Sequence, residues 1–206
     1  MIEVVIIDYS ACGNIKSVIS AFEYLGVRIK ISSKPEDIYK ANFLVLPGVG
    51  SFKLAYQDIE SQGLNEAIRE SVLYKGTKIL GICLGMQLMA SDSTEGGYSL
   101  GLNLINNKVE HISTMVENIK IPNVGFKRTT PNSYTGLFNG LPQNPYFYFT
   151  HSYCIKRQMD LPIFCESDIG FKFISGFQKE NIFGTQFHPE KSQSNGLIIL
   201  KNFITA

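Results

Sequence analysis

The sequence of 206 residues contains no tryptophan, only three histidines and only four cysteines. The cysteines show neither a C-x-x-C pair nor the density of a disulfide scaffold, and a chain of this length can build its own core, so each cysteine is interpreted singly. There are 19 Lys and Arg against 18 Asp and Glu, which leaves a net charge of +1. Because no strong charge of one sign is present, the composition argues against binding to nucleic acid or to a charged membrane.

Long apolar runs are also missing. None approaches the roughly 18 residues that a membrane span needs, and the first strand-like segment begins at Ile2 with no basic leader before it. We therefore expect a soluble, cytoplasmic protein. Since the sequence shows no repeat, low-complexity tract or linker, it predicts a single domain over residues 1–206.

In the first half, a short apolar run, a glycine-marked turn and an amphipathic stretch follow one another repeatedly. The predicted strands cover residues 4–7, 27–31, 43–46 and 78–82. The predicted helices cover residues 15–25, 35–39 and 64–74, and a further one begins near Leu84. This alternation predicts an α/β fold with a mixed, mostly parallel central sheet flanked by helices.

The second half is β-rich and punctuated by Asn, Pro and Gly, which is typical of hairpins. The predicted strand segments cover residues 108–112, 146–155, 163–166, 173–178 and 182–187. A closing helix is predicted over residues 196–204. The fold class we expect is thus an α/β core with an added β-rich second half.

The segment GICLG at residues 81–85 has the form of a nucleophile elbow, with cysteine in place of serine. The two glycines allow a sharp turn from strand to helix, and the helix N-terminus favours the thiolate of Cys83. The amide of Leu84 is a candidate oxyanion donor. The alternative interpretation is a buried cysteine in a tight turn.

A cysteine nucleophile needs a base and a group that orients the base. His188 and Glu190 provide both directly after the predicted strand 182–187. If that strand lies beside strand 78–82, the imidazole can reach the thiol of Cys83 while the carboxylate holds the other ring nitrogen. The alternative is a His-Pro turn with a solvated glutamate.

Gly48, Val49 and Gly50 follow the strand that we expect next to the elbow. Glycines there allow a backbone N–H to turn toward an oxyanion. The segment is not a phosphate-binding loop, because the Lys and Ser/Thr of that motif are missing.

Together the segments PGVGSF (47–52), GICLGMQ (81–87) and HPEKS (188–192) resemble the class I, triad-type glutamine amidotransferases. More narrowly, the chain resembles the glutaminase subunit of imidazole glycerol phosphate synthase. The resemblance implies a flavodoxin-like fold and a Cys83–His188–Glu190 triad. It implies oxyanion donors at Leu84 and in the segment Gly48, Val49 and Gly50.

We expect no cofactor, and no metal, because the three histidines lack ligand spacing with each other or with the cysteines. The same resemblance assigns further roles. The glutamine contacts that it implies are Gln87, Glu95, Ser152 and Tyr153. The residues that it places against a partner are Asn14, Tyr148 and Lys191.

A partner is also expected on chemical grounds, because free ammonia would protonate and diffuse away and the chain has no length to spare for an acceptor domain. The resemblance implies a (β/α)₈ barrel cyclase that receives ammonia through its core, in a heterodimer that makes imidazole glycerol phosphate and AICAR in histidine biosynthesis.

One segment departs from the subfamily pattern P-H-x-G-W-N, since residues 122–127 read PNVGFK. Asn123, Phe126 and Lys127 replace the His, Trp and Asn. A paralogous subunit that supplies ammonia for amidation of a nucleotide-linked surface sugar is therefore an alternative. A γ-glutamyl peptidase, a cysteine protease and a non-catalytic binding subunit are further alternatives.

Overall fold

One mixed sheet organises the computed structural model, which describes residues 2–9, 15–156 and 161–206. The strands are β1 (Glu3–Ile7), β2 (Arg28–Ser32), β3 (Phe43–Leu46), β4 (Lys78–Ile82), β5 (Asp92–Ser93), β6 (Ser99–Leu100), β7 (Lys108–His111), β8 (Asn123–Pro131), β9 (Tyr146–His151), β10 (Tyr153–Lys156), β11 (Ile163–Asp168), β12 (Lys172–Lys179) and β13 (Ile182–Thr185). The helices are α1 (Ile15–Tyr24), α2 (Pro35–Lys40), α3 (Phe52–Ser61), α4 (Leu64–Leu73), α5 (Leu84–Leu88) and α6 (Gln193–Thr205).

The strand order begins β2-β1-β3-β4-β13, and all four of these pairings are parallel. The sheet continues through β12, β10, β7, β5 and β6, while β11, β8 and β9 pair beyond β12. Antiparallel pairings outnumber parallel ones overall, because short connections join the strands of the second half. The parallel part is the α/β core that the alternating sequence predicts, with β13 added to it.

Helices cover both faces of the parallel part, which explains why its strands read as continuous apolar runs. Val5 and Ile7 point into the core layer beneath α2, α3 and α4. Val4 and Ile6 point into the opposite layer with α1 and α6, where Phe203 packs edge-on against Phe22 and Phe43. Alternate residues of one strand therefore stabilise two different layers.

The sequence prediction missed two elements and placed several boundaries wrongly. Helix α3 was not predicted, because only Phe52, Ala55 and Ile59 in it are buried and its apolar pattern is weak. Strand β8 is missing because most of it is exposed or half-buried and its apolar signal is weak. The segment 146–155 is two strands, which are separated at Ser152. Strand β13 ends at Thr185, and α6 begins three residues before the predicted helix.

Within the described residues, no helix is long and apolar enough to cross a bilayer.

Candidate active site

The turn at Cys83 has the geometry of a nucleophile elbow. Strand β4 ends at Ile82 and α5 begins at Leu84, and the single residue between them has φ 53° and ψ −107°. A residue with a side chain rarely adopts a positive φ, so the surrounding structure must hold Cys83 in this conformation.

Close packing explains the glycines on either side of Cys83. A Cβ atom at Gly81 would lie 2.7 Å from backbone atoms of Met86, and one at Gly85 would lie 1.7 Å from the carbonyl oxygen of Leu46. Only glycine lets α5 approach β3 this closely.

We expect the substitution Gly85→Ala to lower the free energy of unfolding by about 3 kcal/mol or more, because backbone must move to admit the methyl group. Urea denaturation measures the loss. Gly26→Ala is the control for crowding: Gly26, unlike Gly85, has a positive φ of 74°, and nothing lies within 4 Å of the added Cβ. It should therefore cost only about 1 kcal/mol of backbone strain. Equal losses in the two variants would contradict the steric argument.

The long-range pairing of β13 with β4 places His188 near Cys83. The strands are parallel, with Thr185 opposite Ile82, so both residues follow at the same edge of the sheet. The backbone N–H of His188 donates to the carbonyl of Tyr148 at 2.9 Å. The strand order that the sequence analysis required is therefore present.

His188 and Glu190 form a buried pair. Nδ1 of His188 lies 2.8 Å from Oε1 of Glu190, and the two side chains are 3% and 2% exposed. Burial by itself would lower the pKa of His188, but hydrogen bonding and charge from Cys83 and Glu190 raise this pKa to about 10. Nε2 is buried without a regular hydrogen bond to the described residues, which leaves it as the ring nitrogen that can exchange a proton with the thiol.

The sulfur of Cys83 has two further polar neighbours. Nε2 of Gln186 donates to it at 3.6 Å, and the carbonyl oxygen of Thr150 is the acceptor for the thiol at 3.9 Å. Cys83 is 6% exposed, and that exposure is toward a cavity.

A cavity of about 390 Å³ opens at the carboxyl edge of the sheet, within the size range of small-molecule sites. Its lining residues are Val49, Gly50, Cys83, Leu84, Gln87, Glu95, Pro122, Thr150, His151, Ser152 and Tyr153. The structure thus brings the predicted oxyanion segment, nucleophile and glutamine contacts together. His188 and Glu190 are buried rather than lining the cavity.

Gly48 belongs to the predicted oxyanion segment but does not line the cavity. A Cβ there would come within 2.2 Å of the Tyr9 hydroxyl and 3.1 Å of Leu84 Cβ. The Tyr9 hydroxyl donates to the carbonyl of Pro47, which anchors the start of the segment. Gly50 has φ 110°, a conformation that glycine permits. Leu84, as the first residue of α5, has an N–H without an intrahelical acceptor.

Gln87 and Glu95 line the cavity, and each side chain is held by hydrogen bonds to other residues. Nε2 of Gln87 donates to the carbonyl of Tyr153 at 2.8 Å and to Oε1 of Gln186 at 3.0 Å. Oε2 of Glu95 accepts the N–H of Phe52 at 3.0 Å. Burial raises the pKa of Glu95, while the Phe52 amide and the charge of His111 oppose the rise.

His151 supports the cavity through its side chain. Nδ1–H donates to the carbonyl of Tyr153 at 2.8 Å, and Nε2 accepts from Nδ2 of Asn123 at 2.9 Å. Burial lowers the pKa of His151 to about 4, so the ring is neutral at pH 7. Asn123 replaces the histidine of the subfamily pattern, and here it joins β8 to the cavity wall.

Sequence reasoning did not assign roles to Gln186, Pro122 or Thr150. The sequence did contain a signal for Gln186. This glutamine directly follows an apolar strand and precedes Phe187 and His188, and a polar residue is unusual at such a core position. Pro122 and Thr150 carry no such signal.

The predicted partner residues Tyr148 and Lys191 lie together beside His188. Nζ of Lys191 lies 5.8 Å from the ring centroid of Tyr148, whose ring is 6.5 Å from that of His188. Phe126 packs edge-on against Tyr148 at 5.6 Å and is 46% exposed. Asn14, the third predicted partner residue, lies outside the described residues.

Cys154 and Cys165 are buried free thiols, and burial raises the pKa of each to about 12. They pack as small apolar side chains. In the described parts of the chain, no three His, Cys, Asp or Glu side chains are grouped as metal ligands.

The chain is similar to known proteins over nearly its whole length. The family model for glutamine amidotransferase class-I matches residues 5–206. Imidazole glycerol phosphate synthase subunit HisH 1 of Campylobacter jejuni strain RM1221 is 42% identical over 201 residues and 98% of each chain. The HisH subunit of Chlorobaculum tepidum is 41% identical over 97% of this chain and 98% of its own.

Solved structures share the fold at low sequence identity. PurLQS from Thermotoga maritima gives a TM-score of 0.75 at 15% identity, over 99% of this chain and 98% of that one. The glutaminase domain of Trypanosoma brucei CTPS, solved with bound acivicin, gives 0.67 at 15% identity, over 100% and 94% of the two chains. Because the family model matches residues 5–206 and the HisH subunits are 41–42% identical, the chain belongs to the class-I glutamine amidotransferase family.

Proposed function

We propose that this enzyme hydrolyses glutamine to glutamate and ammonia through Cys83, His188 and Glu190. The observation that carries the proposal is a cysteine on a strained strand-to-helix turn, beside a buried His188–Glu190 pair with a 2.8 Å contact. These are the parts that nucleophilic catalysis of amide hydrolysis requires.

The raised pKa of His188 keeps its imidazole protonated at neutral pH beside the sulfur. The Cys83 thiolate attacks the side-chain carbonyl carbon of glutamine, and the electron pair of the C=O bond moves to oxygen. When the tetrahedral intermediate collapses, the C–N bond breaks and His188 gives its proton to the departing ammonia. His188 then takes a proton from water, whose oxygen attacks the thioester and releases glutamate and the thiolate.

We assign stabilisation of the oxyanion to two groups. One is the N–H of Leu84, which is free of intrahelical bonding, and the other is the backbone of Val49 and Gly50, which line the same cavity. A donor aimed at the developing charge stabilises the transition state more than the substrate.

The cavity wall suits a free amino acid. Both N–H groups of the Gln87 side chain donate to protein acceptors. Its Oε1 can therefore accept a hydrogen bond from the NH₂ group of the substrate carboxamide. Glu95 places a carboxylate at the rim for the α-ammonium, and Ser152 and Tyr153 complete the wall.

We further propose that the chain is the glutaminase subunit of an imidazole glycerol phosphate synthase in the cytoplasm, and that ammonia passes to a barrel cyclase. The support is 41–42% identity to subunits of that name over nearly the whole chain. Tyr148, Lys191 and the half-exposed Val124 and Phe126 form the surface beside His188 that such a partner would cover.

We expect the rate of glutamine hydrolysis to rise strongly when the barrel cyclase of the same organism and its histidine-pathway nucleotide are both added, because ligand on the barrel is linked to the chemistry at Cys83. Coupled glutamate detection measures the rate for the chain alone, with the barrel, and with barrel plus nucleotide. Stimulation by a barrel dedicated to surface-sugar amidation, with none from the histidine-pathway barrel, would contradict the pathway while leaving the glutaminase chemistry intact.

A further inference from the structure

We propose that Gln186 is a positioning residue for the nucleophile: its side-chain amide donates a hydrogen bond to the sulfur of Cys83 and stabilises the thiolate. The inference rests on the proposed role of Cys83 and adds a residue that the triad does not contain. It follows from the position of Gln186, from the orientation of its amide and from the other contacts of the sulfur.

Gln186 is held rigidly at the carboxyl edge of the sheet. It is fully buried, and its backbone N–H donates to the carbonyl of Ser175 at 2.9 Å. Nε2 lies 3.6 Å from the sulfur of Cys83, within the range of a hydrogen bond to sulfur. A buried donor that is already in place costs little reorganisation when charge develops.

One backbone carbonyl determines which end of the amide faces the sulfur. The carbonyl oxygen of Tyr153 can only accept, so Gln87 must present Nε2 to it. The second hydrogen of that Nε2 then donates to Oε1 of Gln186. Nε2 of Gln186 is thereby turned toward Cys83, and flipping the amide would lose both bonds.

The same carbonyl also orients His151, whose Nδ1–H donates to it. Because His151 is neutral, its Nε2 accepts from Asn123 on β8. A continuous set of buried hydrogen bonds therefore runs from β8 to the nucleophile. Gln87, which lines the cavity, is one of its links.

The donor matters because the other neighbours of the sulfur do not all favour the thiolate. The carbonyl of Thr150, 3.9 Å away, is an acceptor and favours the protonated thiol. Helix α5 has only five residues, so its N-terminal charge is small. Protonated His188 and the Gln186 amide are the groups that favour the thiolate, and hydrogen bonds to charged groups are the stronger ones.

The titratable groups around Cys83 are few among the described residues. They are His188, which is paired with Glu190, and three residues that line the cavity: neutral His151, Glu95 and Tyr153. The hydrogen bonds of the Gln186 side chain go to Gln87 and Cys83, so its replacement changes the hydrogen bond to sulfur without removing a charge.

The test compares full-length wild type with Gln186→Met, which keeps the shape of the side chain and removes its N–H donors. Alkylation of Cys83 by iodoacetamide is followed against pH by peptide mass spectrometry, which separates this thiol from the other cysteines. We expect the pH midpoint of alkylation to rise by about one unit in the variant. With glutamine and the partner, kcat should fall by about ten- to a hundred-fold with little change in KM, since the bond acts on the nucleophile.

The matched control is Thr185→Val, on the preceding residue of the same strand. The Thr185 hydroxyl is buried and has no hydrogen-bond partner among the described residues, so its loss should leave the alkylation midpoint unchanged. If circular dichroism shows that Gln186→Met is unfolded, Gln87→Met provides the second variant. It leaves Gln186 present but free to rotate, and the midpoint should again rise.

An unchanged midpoint in a folded Gln186→Met variant, or in Gln87→Met where that variant replaces it, overturns the inference. Alkylation needs no turnover, so it distinguishes this failure from failure of the proposed function. If wild type with its partner does not hydrolyse glutamine, the glutaminase proposal fails whatever the midpoint shows. A midpoint that rises equally in Thr185→Val would also overturn the inference, because the effect would then be a general one of the strand.

Discussion

Replacing Cys83 with alanine is expected to abolish glutamine hydrolysis, with a fall in kcat of at least about 10⁴-fold. The reason is that the thioester cannot form without the sulfur, and the buried His188–Glu190 pair has no access of its own to the substrate carbon. Only the cavity and its oxyanion donors remain, and these bind without attacking. Glutamate release in the presence of the partner measures the effect.

The fold should survive this substitution, because Cys83 lies in a turn that Gly81 and Gly85 create. Binding of the partner and synthesis from added ammonia by the complex should therefore persist. Cys154→Ala is the control: it removes a buried thiol that does not line the cavity, and hydrolysis should remain near the wild-type rate. Glutamine hydrolysis that persists in Cys83→Ala would contradict the mechanism.

Glu190→Gln is expected to lower kcat by about 10²- to 10⁴-fold, less than the loss of the nucleophile. The amide can still accept from Nδ1–H of His188, but the negative charge that stabilises the imidazolium is gone. The thiolate–imidazolium pair is then less populated, and proton donation to the departing ammonia is less well oriented. A greater loss than in Cys83→Ala would contradict this order of roles.

The same substitution should alter the pH dependence of stability. In the folded wild type the pKa of His188 is raised from its ordinary 6.5 to about 10. Protonated His188 therefore contributes stability that is fully present below pH 6.5 and is lost as the pH rises through 10. In Glu190→Gln that contribution should be lost at lower pH, which urea denaturation at a series of pH values measures. Identical pH profiles for the two proteins would show that the pair does not govern the titration of His188.

Local sequence patterns predicted the elements that surround the site. The strand at 43–46, the strand at 78–82 and the turn at Cys83 are determined by residues that are neighbours in the chain. Apolar runs of strand length and glycines with specific steric roles are visible without knowledge of the fold. The weakly apolar α3 and β8 were missed for the same reason, since their local signal is small.

The prediction of a triad from sequence depended on a condition that sequence could not supply. Cys83 and His188 are more than one hundred residues apart, and they meet only because β13 pairs with β4 in the register that sets Thr185 opposite Ile82. The resemblance to a known family supported that condition, and the sheet order satisfies it.

The amino-acid sequence by itself determined the α/β class, the nucleophile elbow and the types of residue available for the chemistry. Only the tertiary structure decided that Gln186 faces the sulfur, that Asn123 holds His151 and that the carbonyl of Tyr153 orients the side chains of Gln87 and His151. The physical reason is that helical and strand periodicities act over a few residues. A buried hydrogen bond between distant segments, in contrast, depends on the packing of the whole sheet, and the residue type alone does not say which partner it finds.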